Sequence, residues 1–253
     1  MKNIINKLMN KFRHSINKFL YNFGYKISKA NNTGDLVKIY KYKDYEEYKK
    51  TQIYYNKQKI KYIWSDEKTL DCISKFLSKN ISSNNINGIC HGSRNGFEQQ
   101  FLNKEIPNSN IIGTDISETA LNYKDSIIHD FHETKKEWIS FFDFVYSNSL
   151  DQAYDPKKAL KTWFDQIKIN RYLFIELSDQ HGVVASGKMD PFGVEPSYFP
   201  YLLVEWFDHQ ISIEIIKNIK SNKNPVRKVI KEGAFVGKDV TSYLYIIKKL
   251  SEF

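Results

Sequence analysis

An α/β fold built on a doubly wound, mostly parallel sheet of seven strands is what this sequence predicts, and three observations carry that reading. First, the stretch from Asn87 to Glu98 runs a short apolar segment into two glycines four apart, Gly92 and Gly96, and a helical pattern (Phe97, Phe101, Leu102) begins straight after. Strand, glycine turn and helix in that order present backbone N–H groups to a nucleotide-like ligand. Second, another apolar strand, Ile111-Ile112-Gly113-Thr114-Asp115, ends in a carboxylate. An acid at about 20 residues past such a turn is where a ribose hydroxyl is held. Third, strands alternate with helices as far as Glu176, which calls for parallel pairing, whereas Gln210 to Lys217 and Ser242 to Lys248 have no strong helix between them and read as a closing antiparallel pair.

Each element has its own local reason. Ser65-Asp66-Glu67 supplies a helix start, with Leu70, Ile73, Phe76 and Leu77 as the apolar stripe behind it. Ser117-Glu118-Thr119-Ala120-Leu121 reads as the opening of a helix after Asp115. Ser126 to Asp130 is a short third strand ending in an acid, and Phe142 to Ser147 is a fourth. Asp155-Pro156 opens the next helix, with proline at its first position. Tyr172 to Glu176 is the fifth strand, Met189 to Gly193 a loop with a turn signal, and 197–207 an aromatic helix. Upstream, 31–36 reads as a linker and 43–62 as a helix rich in Tyr and Lys, serving either as packing or as a lid over the ligand.

The charge is unevenly placed. The 253 residues carry a net charge of +9. Residues 1–62 hold 15 Lys/Arg against 4 Asp/Glu, or +11, and residues 63–253 hold 23 against 25, or −2. The organisation expected is a basic helical extension over 1–62 followed by one α/β domain over 63–253. Basicity spread over the whole body, as a general nucleic-acid binder would have, is absent. Within 1–30, Ile4, Ile5, Leu8, Met9, Phe12, Ile16, Phe19 and Phe23 recur at helical steps, with Lys7, Lys11 and Lys18 on the other side. That pattern is a basic amphipathic helix, suited to an anionic membrane surface or to a protein face. Lysines interrupt any signal-peptide core, and no run of about 18 apolar residues marks a transmembrane span. The expected location is cytoplasmic, with residues 1–30 able to hold the chain peripherally at the inner face of the membrane. Cys72 and Cys90 are too few for a disulfide framework or a four-thiolate zinc site.

From residue 63 to 253 the sequence resembles the class I S-adenosylmethionine-dependent methyltransferases, in a subgroup whose first motif reads G-x-R-x-G. The carrying residues are Gly92-Ser93-Arg94-Asn95-Gly96 followed by Glu98, then Asp115, Asp130 and Asn148 in order. The resemblance implies a Rossmann-like sheet with an antiparallel last strand and S-adenosyl-L-methionine as cofactor. It implies that Gly92, Ser93 and Gly96 cradle the methionyl part, and that Arg94 and Glu98 belong to the same cofactor motif. Asp115 then takes the ribose hydroxyls, Ile116 lies against adenine, Asp130 and Phe131 contact adenine, and Asn148 faces the methionine and the transferred methyl. Two departures stand out: the acid usual before the glycines is Cys90, and the middle glycine is Arg94, whose bulk either pairs with the cofactor carboxylate or narrows the site. The basic leader through Gly24-Tyr25-Lys26 is similar to the start of some surface-polysaccharide methyltransferases, which suggests a glycan or lipid-linked acceptor.

The expected activity is therefore methyl transfer to a hydroxyl or amine of a small molecule or glycan. A catalytically silent cofactor-binding scaffold and an RNA methyltransferase are the alternatives. An alcohol acceptor needs a base, and Asp151, after the fourth strand, and His181, after the fifth, are the candidates. Tyr154 and Lys158 match a dehydrogenase Tyr-x-x-x-Lys pair, but they fall one strand too early. His129, Asp130, His132 and Glu133 lie together, but neighbours at a strand end point opposite ways, and no metal is assigned.

Overall fold

A computed structural model gives the fold and describes residues 35–82, 85–178, 182–220 and 241–252. The amphipathic helix read over 1–30, the greater part of the 31–36 linker, and His181 lie outside the described residues. The compact unit runs from Leu36 to Phe253, so the Tyr- and Lys-rich helix, grouped in the sequence with the basic extension, packs with the sheet.

In chain order the described elements are β1 (Val37–Ile39), α1 (Tyr45–Lys59), α2 (Glu67–Asn80), β2 (Ile86–His91), α3 (Phe97–Glu105), β3 (Ser109–Asp115), β4 (Ser126–Ile128), β5 (Phe142–Ser147), α4 (Pro156–Gln166), β6 (Ile167–Ser178), β7 (Phe192–Val194), α5 (Phe199–Phe207), β8 (Ile211–Lys220) and β9 (Thr241–Lys249). Seven strands form one sheet in the order β4-β3-β2-β5-β6-β9-β8. β4, β3, β2, β5 and β6 run parallel to one another, and β9 runs antiparallel to both β6 and β8. The expected architecture is thus observed, with the last strand inserted beside β6. The strand order reverses at β2, which leaves the crevice between the ends of β2 and β5 where open α/β sheets bind ligands.

Alternation within the strands sends side chains to two cores. Phe144, Tyr146 and Phe174 pack with Leu70, Ile73 and Leu77 of α2 on one face. Val145, Leu173 and Ile175 pack with Trp163, Phe164, Phe199 and Leu203 of α4 and α5 on the other. Every residue of β5 is buried, as expected of a strand covered on both sides. Burying each fully enclosed α2 leucine or isoleucine contributes about 2 kcal/mol. The helix starts follow the predicted chemistry: Asp66 accepts from the backbone N–H of Lys68 at 2.9 Å, and Asp155 from that of Lys158 at 3.0 Å.

Two local expectations are corrected. The helix read after Asp115 is only a 3-10 turn, Glu118–Asn122; the chain must reach β4 by Ser126, which leaves too little length for an α-helical crossover. The Met189–Gly193 loop runs into a short strand, and so does the segment between the linker and the Tyr- and Lys-rich helix, since Val37–Ile39 pairs antiparallel with Phe192–Val194. No described helix is long and apolar enough to cross a membrane.

Candidate active site

The glycine turn after β2 sets the geometry. Gly92 has φ 72°, and a Cβ there would lie 2.5 Å from Ser149 Cβ. Arg94 holds a left-handed φ of 43° without being glycine, a conformation that costs an L residue about 1–2 kcal/mol. Two bonds hold it there. Its backbone N–H donates to Asp115 Oδ2 at 3.1 Å, and its Nη1 donates to the Tyr62 carbonyl at 3.2 Å. Gly96, also at φ 72°, closes the turn by donating to the Ser93 carbonyl and caps α3.

A cleft opens beside this turn. Gly92, Arg94, Asp115, Ile116, Asp130 and Phe131 all line it, so six of the ten cofactor residues expected from the resemblance come together there. Asp115 sits at the end of β3, where its Oδ1 accepts from the Ser117 N–H at 2.9 Å. Burial pushes its carboxyl up, opposed by those N–H groups, the Arg94 charge and the Asn56 side chain. Asp130 Oδ1 accepts from the backbone N–H of His132 at 2.9 Å and from its Nδ1 at 2.8 Å, while Oδ2 accepts from the Tyr45 hydroxyl at 2.7 Å. Burial alone would raise Asp130, but these donors outweigh it and hold the carboxyl at about 2.

Behind the cleft the rings are fixed. Trp163 donates from Nε1 to the Phe131 carbonyl at 2.9 Å and stacks on His91 at 5.4 Å. His91 Nε2 donates to Gln166 Oε1 and its Nδ1 accepts from the Thr114 hydroxyl, each at 2.8 Å. Burial brings this imidazole down to about 3, so it is a neutral structural group.

Helix α1 forms the opposite wall through Tyr48, Gln52, Tyr55, Asn56 and Lys59. It is tied down by the Tyr45–Asp130 bond, by Thr119 Oγ1 donating to Asn56 Oδ1 at 2.8 Å and by Gln52 Nε2 donating to the Met189 carbonyl at 3.1 Å. The sequence reading gave this helix no cofactor residue. Its signal is that the positions it buries besides Tyr48 are polar, Thr51, Gln52 and Asn56, which is what a helix facing a ligand cleft requires and a core helix does not.

The other predicted residues fall elsewhere. Ser93 is buried beneath the turn. Asn148 and Glu98 are buried and joined through Ser65, whose hydroxyl accepts from Asn148 Nδ2 at 2.8 Å and donates to Glu98 Oε1. Asp151 is buried on the turn after β5, and its neighbour Gln152 reaches the cleft wall together with Met189 and Asp190. Tyr154 packs on Tyr48 and His132, and Lys158 pairs with Glu133 at 2.5 Å.

Glu176, near the end of β6, accepts from the Tyr146 hydroxyl at 2.8 Å, and burial raises its carboxyl from 4.5 to about 7. The folded protein therefore keeps a proton that the unfolded chain releases between those values. Stability falls as pH rises through that window, by at most about 3 kcal/mol, and the loss is complete above pH 7. Urea denaturation at pH 5 and pH 8 is expected to show this decline, with Glu176→Gln flattening it. An unchanged decline in the variant would assign it to another group.

No protein-family model matches the chain and no curated protein matches it. Solved structures match its fold. Geranyl diphosphate C-methyltransferase from Streptomyces coelicolor A3(2), solved with Mg2+, geranyl diphosphate and S-adenosyl-L-homocysteine, is 9% identical with a TM-score of 0.57, over 80% of this chain and 98% of that one. The plantazolicin methyltransferase BpumL, solved with SAH, is 13% identical with a TM-score of 0.51, over 81% and 97%. The [4+2]-cyclase SpnF is 10% identical with a TM-score of 0.53, over 71% and 80%, so the same scaffold also appears under a different reaction name. Sheet order, the antiparallel β9 and these likenesses together show that the chain has the fold of the class I S-adenosylmethionine-dependent methyltransferases.

Proposed function

We propose that the cleft binds S-adenosyl-L-methionine and that the chain is a methyltransferase acting on a hydroxyl or amine of a small molecule or glycan. The observation that carries this is the convergence of Gly92, Arg94, Asp115, Ile116, Asp130 and Phe131 on one cleft at the switch point of the sheet. The residues suit the group. Gly92 lines the cleft with its backbone alone, because Ser149 packs where a side chain would stand. Asp115 accepts one backbone N–H on each oxygen, and a carboxylate has further acceptor sites for ribose hydroxyls. Phe131 offers a ring face, and Asp130 stays ionised as an acceptor for an exocyclic amine.

When bound, the cofactor supplies an electrophilic methyl group on sulfur. The chain's own task is to hold the acceptor, exclude water and take a proton. Lys59, Gln152, Met189 and Asp190 line the same cleft and have no part in the cofactor motif, and we place the acceptor beside them. Asp190 lines the cleft itself, so we assign it the proton-accepting role ahead of Asp151, which lies behind Gln152. Burial lowers the Lys59 ammonium, with Asp190 and Asp151 opposing. The suggestion of a surface polysaccharide or lipid-linked sugar, and of an anionic membrane held by residues 1–30, rests on the sequence resemblance of the leader.

The test is release of S-adenosyl-L-homocysteine with a panel of sugars, small alcohols and amines. Turnover with one acceptor is expected, falling about 10²- to 10⁴-fold in Asp190→Asn. Tight cofactor binding with no turnover on any acceptor would favour the scaffold reading.

A further inference from the structure

Helix α1 ends in two lysines whose surroundings differ. Lys57 is exposed and pairs with Glu118 at 2.5 Å. Lys59 follows two residues on, nearly opposite on the helix, and lines the cleft. Its ammonium stands 5.9 Å from the centroid of the Tyr55 ring, another cleft residue. Among the described residues it has neither a hydrogen bond nor an ion pair. Lys188, by contrast, is exposed and pairs with Glu47 of α1 at 2.9 Å.

A lysine in a last helical turn is favoured by the helix dipole wherever its side chain points, so the dipole does not account for one drawn into a cleft. Burial lowers the Lys59 ammonium, and the Arg94 charge adds to that effect. Asp190 is the largest charge opposing it, with Asp151 weaker. A desolvated cation without an oxygen partner is costly to hold. Asp190 lines the same cleft, yet it does not close on Lys59 as an ion pair. Two opposite charges thus border one space, and neither is neutralised by contact with the other. A ligand that brings an anion to Lys59 supplies the missing partner.

We propose that Lys59 is a specificity residue for the acceptor, and that the molecule methylated carries a carboxylate or phosphate, held by Lys59, a few bonds from the hydroxyl or amine that faces Asp190. This rests on the cofactor reading above and narrows its acceptor to an anionic one. A compact ammonium on a flexible stem takes either anion as a point charge. Asp190 disfavours a second anion at the reacting end, which orients the acceptor in the cleft.

Charge-matched probes test this on the full chain saturated with S-adenosyl-L-homocysteine. Calorimetric titration compares glucuronate with glucose, and glycerol phosphate with glycerol. At least one anion is expected to bind about 10-fold more tightly than its neutral counterpart, as a charged hydrogen bond gives. Which pair shows the preference distinguishes a carboxylate from a phosphate acceptor. Lys59→Met and Lys59→Gln are each expected to shrink it to within about twofold, and Lys59→Arg to keep it. Both neutral variants should bind S-adenosyl-L-homocysteine within about twofold of wild type, which also shows them folded. No preference for either anion, or one that survives in the neutral variants, would overturn the proposal. So would a loss of S-adenosyl-L-homocysteine binding with 5′-methylthioadenosine binding intact, because that assigns Lys59 to the cofactor's own carboxylate. Wild-type protein that does not bind S-adenosyl-L-homocysteine would overturn the cofactor reading itself, and this proposal with it.

Discussion

Asp115→Ala is expected to weaken S-adenosyl-L-methionine binding by about 100-fold or more. Two ribose hydroxyls donating to one carboxylate are charge-assisted bonds of about 1.5–3 kcal/mol each, and their joint loss exceeds the roughly 2.7 kcal/mol that a 100-fold change requires. The same carboxylate also receives the backbone N–H groups of Arg94 and Ser117. Alanine leaves both donors without that acceptor inside a largely buried site, so a stability loss of about 1–3 kcal/mol is expected as well. Asp115→Asn separates the two effects, because an amide oxygen can still accept from one N–H while the charge is gone. Calorimetry on protein shown to be folded by circular dichroism reads the binding term. An Asp115→Ala affinity within threefold of wild type would remove Asp115 from the site.

The second large effect is on stability. Trp163 is fully buried in α4. Its indole N–H holds the Phe131 carbonyl, one face stacks on His91, and Phe131 meets it edge-on at 5.4 Å. Trp163→Ala removes one of the two tryptophans of its core and is expected to cost about 3–5 kcal/mol in urea denaturation. It also orphans the Phe131 carbonyl, so any folded fraction should bind cofactor less well. Trp163→Phe keeps most of the volume and loses the hydrogen bond, at about 1–2 kcal/mol. A Trp163→Ala cost below 1 kcal/mol would mean that this ring does not brace the cleft.

How far the chain could be read before its structure follows from where each signal resides. The Gly92 turn, Asp115, Asp130 and Phe131 sit at the ends of short apolar strands, and strand ends are legible from local pattern. So is α4, because Asp155-Pro156 marks its start. The position of β9 between β6 and β8 is a non-local fact that no run of residues encodes; the family resemblance implies only that the last strand is antiparallel. β1 and β7 are three residues each, too short for alternation to show. The helix after Asp115 was over-read because Ser117-Glu118 is sound helix-start chemistry, and only the distance to Ser126 limits it.

The site divides in the same way. Residues on the sheet edge are legible, and so is the helix over 43–62 with a lid as one of its two readings, but its individual cleft residues are not, because Gln52, Asn56 and Lys59 match no motif and their place shows only when the helix is packed. Asp190 belongs to this group too. It lies in a loop read as a turn, and it reaches the cleft because Phe192–Val194 pairs with Val37–Ile39 and draws the preceding loop inward. Glu98 was legible as part of the motif, but its link to Asn148 through Ser65 spans three elements and has no sequence signature.

The central claim is that this fold carries a working cofactor cleft in spite of Cys90 and Arg94. Titration of the full-length wild-type chain with S-adenosyl-L-methionine in a calorimeter tests it most directly. One site per chain with a dissociation constant in the micromolar range is the predicted result. No heat of binding from protein shown to be folded would contradict the account and leave a chain with the fold and without the ligand.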